Sequence, residues 1–346
     1  MRVAFIVPGR IATVSGGYGY DRAIVAGLGA AGHAVEVIEI GGRHPLPDDA
    51  AIAAARAAWV GLAEDAIPVI DGLGLPAFAG LQSALAARAS VGLIHHPTAL
   101  ETGRNEDDRA ALKAIEARMF PALRRIVVTS APTGERLAAE FGVNPQRIAV
   151  VVPGTSDAPR SPGSGGPGCE ILALGGLIPR KGYDVLLRSF VKLFDLDWRL
   201  TIAGGPLDGP YGQSLRALAD ELGIAARVTF AGEVVDAALE ALWRRADIFA
   251  LATHYEGYGM AIAEALKRGI PVAVTSGGAA GALVTPEAGV VCEPGDIVTL
   301  SKSLRRLIFD VKLRHDVAEA AWQVGQTLPD WPAQARLFAA ALSKPV

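Results

Sequence analysis

Asp247-Ile-Phe-Ala-Leu-Ala-Thr253 runs straight into His254-Tyr-Glu-Gly-Tyr-Gly-Met-Ala-Ile-Ala-Glu-Ala-Leu-Lys-Arg-Gly269. The first run is apolar on both faces, as a strand inside a covered parallel sheet must be. The second has helical spacing, so strand, glycine-rich turn and helix follow one another. With the helix placed at 257–268, Glu256 lies in the entering loop. Glu256, Met260 and Glu264 then succeed one another at i, i+4 and i+8, which leans both carboxylates toward one side. The free N–H groups of the first turn point into the same space and favour an anion. Gly257 and Gly259 let a ligand approach the backbone. Such a place can hold a phosphate on backbone dipoles while carboxylates accept hydrogen bonds from sugar hydroxyls. Acids near a helix start are also ordinary partners of its dipole, so the two glutamates alone leave both readings open.

Working outward, the same alternation fills the chain. After the middle, strands are expected at 170–177, 199–204, 227–232, 247–253, 271–275 and 289–292, with helices at 182–194, 211–222, 236–246, 257–268 and 298–308. Before it, strands are expected at 2–8, 34–40, 67–71, 90–95, 125–130 and 148–153, with helices at 20–31, 49–63, 75–88, 106–124 and 132–141. Alternating strands and helices make parallel sheets covered by helices. Thr155–Gly168 is so dense in Pro, Gly and Ser that it cannot bury a face, and it reads as a linker. The expected fold is therefore α/β, with two facing Rossmann-like domains and a cleft between them. Their bounds are 1–155, a linker at 156–169, and 170–328. The last pattern, within 329–346, is the helix Trp331–Ser343; the sequence leaves its packing partner undecided, a crossing to the first domain included.

A length of 346 residues exceeds one ordinary core, which agrees with two domains. Half the residues are apolar and the net charge is −3, so neither disorder nor nucleic-acid binding is expected. Cys169 and Cys292 have no disulfide or metal spacing. No secretory signal or membrane-spanning run is read, and a reducing cytoplasm is the expected setting.

Two more turns invite an anion. Gly175-Gly-Leu-Ile-Pro-Arg-Lys-Gly182 sets Arg180 and Lys181 between a strand and a helix start. The helix dipole disfavours cations there, so a pair of them asks for an anion, unless it is simply a solvated basic turn. With the Gly257–Met260 helix start they would grip a diphosphate from two sides. Ser15-Gly-Gly-Tyr-Gly19 follows the first strand as a loop, where such folds bind ligands. It is not Gly-x-Gly-x-x-Gly, which weakens a nicotinamide oxidoreductase reading although Glu39 lies suitably at the end of the second strand.

Pro-Arg-Lys-Gly-x-Asp-x-Leu-Leu at 179–187, Ala-Gly-Gly-Pro at 203–206 and Tyr-Glu-Gly-Tyr-Gly-Met-x-x-x-Glu-Ala-Leu at 255–266 resemble the retaining family 4 (group 1) nucleotide-sugar glycosyltransferases. Those enzymes have the two-Rossmann-domain GT-B fold. The resemblance implies an N-terminal acceptor-side domain and a C-terminal nucleotide-sugar-binding domain. By position it implies that Arg180 and Lys181 stabilise the departing diphosphate, that Glu264 holds the ribose hydroxyls, and that Glu256 lies near the donor sugar. Gly16 and Gly17 match a loop that closes over the diphosphate, and Gly257, Tyr258, Gly259 and Met260 the donor-binding turn. His95 matches a histidine facing the donor sugar. Many members have Gly-Arg where this chain has Gly175-Gly176, so which cation meets which phosphate is open.

His95 and His96 would point to opposite faces of a continuing strand; His95 is assigned to the cleft by its match, against a plain packing role. No His/Asp/Glu set has metal-ligand spacing, so no metal and no cofactor are expected, the UDP- or GDP-linked sugar being a substrate. The implied reaction is metal-independent, retaining, front-face transfer of a hexose to an acceptor hydroxyl. The alternative is an epimerase or hydrolase of the same fold. The acceptor is left as a small molecule, a glycan or a lipid-linked sugar, and a peripheral contact with the inner membrane face stays open. The helix near Ala50–Leu62 lacks the basic face of an interfacial helix.

Overall fold

Every apolar run read as a strand pairs in parallel with a neighbour in the structure, a computed structural model that describes residues 1–343. The chain divides into two units, Met1–Gly154 with the chain from Pro329 onward, and Thr155–Leu328.

In the first unit β1 (Arg2–Pro8), β2 (Ala34–Ile40), β3 (Ala66–Asp71), β4 (Val91–Ile94), β5 (Arg125–Val128) and β6 (Ile148–Val150) form one sheet in the order β2-β1-β3-β4-β5-β6. Its helices are α1 (Gly16–Ala30), α2 (Asp49–Gly61), α3 (Gln82–Ala87), α4 (Glu106–Met119) and α5 (Ala131–Phe141). The expected helix at 75–88 is a 3-10 stretch, Leu75–Leu81, running into the short α3. Pro76 and Gly80 explain the tighter winding.

The second unit has β7 (Cys169–Leu174), β8 (Trp198–Ala203), β9 (Val228–Gly232), β10 (Ile248–Leu251), β11 (Val272–Thr275) and β12 (Gly289–Cys292), ordered β12-β11-β10-β7-β8-β9. Around it lie α6 (Tyr183–Ser189), α7 (Pro210–Glu221), α8 (Asp236–Arg245), α9 (Met260–Lys267), α10 (Ile297–Phe309) and α11 (Val311–Thr327). Sequence reading missed α11, although Asp310 caps it and its buried Ala321 and Gly325 mark an inward face.

The last helix, α12 (Trp331–Ser343), belongs to the first unit. Phe338 meets Phe5, Trp331 meets the edge of Tyr20, and Arg124 donates to Leu342 O at 2.7 Å. The stretch read as a linker is instead a strap seated on the second unit. Ser161 Oγ lies 3.0 Å from Trp243 O and 3.1 Å from Arg244 O, at the end of α8. Asp247 accepts from Ser164 N and Glu170 N through its two oxygens. A chain too poor in apolar groups to bury a face is fixed by its polar ones.

Candidate active site

In the second unit the chain moves from β7 to β8 and β9 on one side, then returns to β10 on the other. Open α/β sheets bind ligands beyond the carboxyl ends of the strands where this reversal occurs. Arg180 and Lys181 leave β7 in the 3-10 turn Pro179–Lys181, and Thr253–Gly259 leaves β10. The loops are laced together. His254 N donates to Arg180 O at 2.8 Å, and Arg180 Nη1 donates to Tyr255 O at 2.6 Å.

Lys181 Nζ donates to Glu256 Oε1 at 2.6 Å, while Arg180 lies 3.9 Å from Glu256 Oε2. Glu256 is buried. Burial pushes its carboxyl up, but Lys181 and then Arg180 outweigh it and hold the group below the usual glutamate range. Both cations thus stand beside this carboxylate at the carboxyl ends of the two central strands, β7 and β10. The loop after β11 fixes the carboxylate's own backbone. Glu256 N donates to Gly277 O at 3.0 Å, and Ala279 N donates to Glu256 O at 2.9 Å. Sequence reading passed over Ser276-Gly-Gly-Ala279; two adjacent glycines at a strand end were its signal.

The helix expected at 257–268 begins at Met260, with Gly259 at φ 105° as its N-cap and no side chain capping it. An L side chain rarely tolerates that φ, so the glycine fixes where winding starts. Glu256, Gly257 and Tyr258 consequently lie outside the helix, and the single stripe through Glu256, Met260 and Glu264 does not form. Glu256 turns to Lys181 instead. Glu264, in α9, is half-buried, and among the described residues no donor is bonded to its carboxylate. Burial raises its pKa to about 7, with Arg268 offsetting part of the effect. Tyr258 is buried and Met260 half-buried beside the helix start.

The first unit has its own reversal, between β1 and β3. Gly16 and Gly17, expected in a loop, form the first turn of α1, because Ser15 caps the helix by accepting from Tyr18 N. His95 follows β4, which ends at Ile94, so the face alternation expected of a continuing strand does not apply to His95 and His96. His95 Nε2 lies 3.1 Å from Asp21 Oδ1 and 3.4 Å from Asp71 Oδ2. Tyr20 meets the ring edge-on, and a Cβ placed on Gly17 would lie 3.4 Å from ring atom Cδ2. Burial would lower the imidazole's pKa, but hydrogen bonds and charge from Asp21 and Asp71 raise it to about 10.

Asp21 and Asp71 escaped the sequence reading. Their signals were an acid within an apolar helix and an acid closing an apolar strand. Spacing along the chain showed no metal-ligand set, whereas the fold gathers ligand atoms of Asp21, Asp71 and His95 within 4.8 Å of one another.

Residues 158–324 match the model of the family described as Glycosyl transferases group 1. The D-inositol 3-phosphate glycosyltransferase of Acidothermus cellulolyticus is 30% identical over 225 residues, which are 60% of this chain and 50% of that protein. The chain spans about half the length of the curated relatives it matches. Sucrose-phosphate synthase from Thermosynechococcus elongatus superposes with a TM-score of 0.80 at 18% identity, over 98% of this chain and 100% of that one. Anabaena HepE in complex with UDP-glucose gives 0.74 at 18% identity, over 98% and 99%. At that identity these structures establish the fold, two parallel sheets flanked by helices as in GT-B glycosyltransferases.

Proposed function

Residues 158–324 belong to the group 1 glycosyl transferases, and on that premise we propose that the chain is a retaining transferase acting on a nucleoside-diphosphate sugar. It moves a hexose to an acceptor hydroxyl and needs no metal ion. The observation that carries this reading is the Arg180–Lys181 turn, which sets two cations beside Glu256 where the loops after β7 and β10 meet. Cations placed at that point suit a diphosphate leaving group. Arginine supplies forked donors and lysine a point charge.

The uncapped start of α9 supports the same reading, since its free N–H groups favour an anion. Glu264 serves as the acceptor for ribose hydroxyls. Glu256 acts by orienting Lys181 beside the donor. In the reaction the bond from the anomeric carbon to the diphosphate breaks, and its electron pair leaves on the phosphate oxygen. The acceptor oxygen bonds the same carbon from the same face, and its proton passes to the departing phosphate. No separate carboxylate nucleophile is required, unlike in retaining glycosidases. His95, in the first unit, is the group we assign to the donor sugar.

UDP-glucose, bound by the similar Anabaena protein, is the first donor to test, followed by other UDP- and GDP-linked hexoses. The acceptor is a small molecule, a glycan or a lipid-linked sugar. Among the described residues no helix is long and apolar enough to cross a membrane; a cytoplasmic setting with peripheral membrane contact is part of the proposal. Nucleotide release from a donor panel, with and without candidate acceptors, tests the reading. Glycosylated product with the retained anomer supports it. An inverted product overturns the front-face route, and donor loss or epimerised donor without transfer favours a hydrolase or epimerase.

A further inference from the structure

Two buried acids take no part in the transfer just proposed, yet both reach the same nitrogen of His95. We propose that Asp21 and Asp71 are positioning residues, which hold His95 as an oriented imidazolium whose Nδ1–H is the edge offered to a ligand. The proposal rests on the assignment of His95 to the donor sugar and adds the form in which it acts.

The geometry carries it. Nε2 lies at hydrogen-bond distance, 3.1 Å, from Asp21 Oδ1 and at ion-pair distance, 3.4 Å, from Asp71 Oδ2, so it carries the ring's first proton, and the two buried carboxylates beside it favour a second on Nδ1. Nε2 is thereby consumed. Nδ1 is bonded to none of the described residues. Gly17 backs the ring and Tyr20 closes its edge, so the imidazole has little freedom to turn. Asp21 is wholly buried, and its Oδ2 meets no partner. Burying an acid in that way is costly unless a cation offsets it, and His95 is the cation in reach. The other titratable groups around the cluster are Tyr20 and Tyr18 of α1, with Glu39 of β2 acting on Tyr18. Both phenols are raised by burial first and then by the acids, so they stay neutral around pH 7 and leave the imidazolium as the positive member. A histidine fixed as a cation can stabilise negative charge or donate to a sugar hydroxyl, but cannot act as a base. That separates its work from proton removal.

Nitrogen-15 NMR of the histidine rings, with His95→Gln used for assignment, tests the proposal on the whole chain without donor or acceptor. Both ring nitrogens of His95 should stay protonated from pH 6 to 9. In Asp21→Asn, and independently in Asp71→Asn, the titration should move down by about two pH units or more. The kcat of either variant should then fall as pH rises from 6 to 9 and recover on acidification, while the wild-type profile stays level. Should Asp21→Asn not fold, Asp71→Asn and the wild-type spectra still decide. A neutral His95 at pH 7 in the wild type overturns the proposal. So does an unmoved titration in the variants, or a lowered titration with an unaltered rate profile. Selective broadening of His95 by Mn2+ would overturn it too, making the cluster a cation site. Failure of the transferase reading would appear separately, as no sugar transfer with the NMR result intact.

Discussion

Lys181 and Glu256 lie 75 positions apart, yet Nζ and Oε1 meet at 2.6 Å, with both side chains largely shielded from water. A pair so placed couples stability to chemistry. Removing one member of a buried pair costs about 3 kcal/mol, because the other charge is left without a partner. Replacing both with apolar or neutral groups of similar size restores much of that stability. Lys181→Met should therefore unfold at lower urea than the double variant Lys181→Met with Glu256→Gln. Neither should work: each should lose about 100-fold or more in kcat/KM, the scale of one missing charge-stabilising donor. Arg180→Ala should lose a similar factor. Wild-type turnover in Lys181→Met would remove the leaving-group role from the pair.

The two glutamates titrate in opposite directions, which makes pH a way to separate them. The folded pKa of Glu256 is depressed, so its stabilisation is complete above the ordinary glutamate value and is lost as pH falls through the lower folded value. Glu264 is raised to about 7. Between its ordinary value of 4.5 and about 7 the folded chain holds a proton that the unfolded chain has released. Stability must fall with rising pH across that window, by roughly 3 kcal/mol from this group. Glu264→Gln should accordingly be more stable than the wild type at pH 8 and close to it near pH 4.5. Affinity for a nucleoside diphosphate should show the reverse. It should rise from pH 6 to 8 in the wild type, as the carboxylate forms, and stay weak and level in Glu264→Gln. Calorimetry giving a level wild-type affinity over that range would take the ribose contact away from Glu264.

The strands were legible because most are short apolar runs rich in Val, Ile, Leu and Ala, the pattern that burial on both faces of a covered sheet demands. Helix starts were less so. The beginning of α9 turns on the backbone of Gly259, and that of α1 on one hydroxyl of Ser15, so both lay a few residues from where periodicity put them. Arg180, Lys181 and Glu256 could be marked singly from the sequence. Their meeting at one site was expected from the sequence, but the direct pairing of Lys181 with Glu256 was not, because it depends on the strand order that makes β7 and β10 neighbours. The same holds for Asp21, Asp71 and His95, which come from α1, the end of β3 and the turn after β4. The strap at 155–168 misled because composition reports what a segment cannot bury, whereas its hydrogen bonds to Asp247 and the end of α8 are tertiary.

Chelation provides a third test. Arg180 and Lys181 already bring positive charge to the turn where the diphosphate is proposed to leave, and fixed cations can do the work of a divalent ion at such a group. Transfer rates in excess EDTA should remain within a few-fold of normal. Complete loss in chelator, restored by manganese or magnesium, would contradict the proposal. It would also turn attention to the acids Asp21 and Asp71.

Gly278 offers the last test, because it touches the Lys181–Glu256 pair without altering either side chain. Its φ is +70°, and a Cβ there would lie 2.2 Å from Glu256 O and 3.0 Å from Glu256 N. Both neighbours are backbone, so the clash can be relieved only by moving the Glu256 main chain or its own loop. Gly278→Ala should therefore carry two costs, about 1 kcal/mol for an alanine at positive φ and a further cost from displacement. Gly223 separates them. It has φ +68° in the same unit, but nothing lies within 4 Å of its Cβ position, so Gly223→Ala carries the first cost alone. The expected result is a small loss of stability with normal kcat/KM in Gly223→Ala. In Gly278→Ala the loss of stability should be larger, and kcat/KM should fall about 10-fold or more as Lys181 loses its oriented partner. If Gly278→Ala turned over donor as fast as Gly223→Ala, the placement of Glu256 by the Ser276–Ala279 turn would have no bearing on the chemistry.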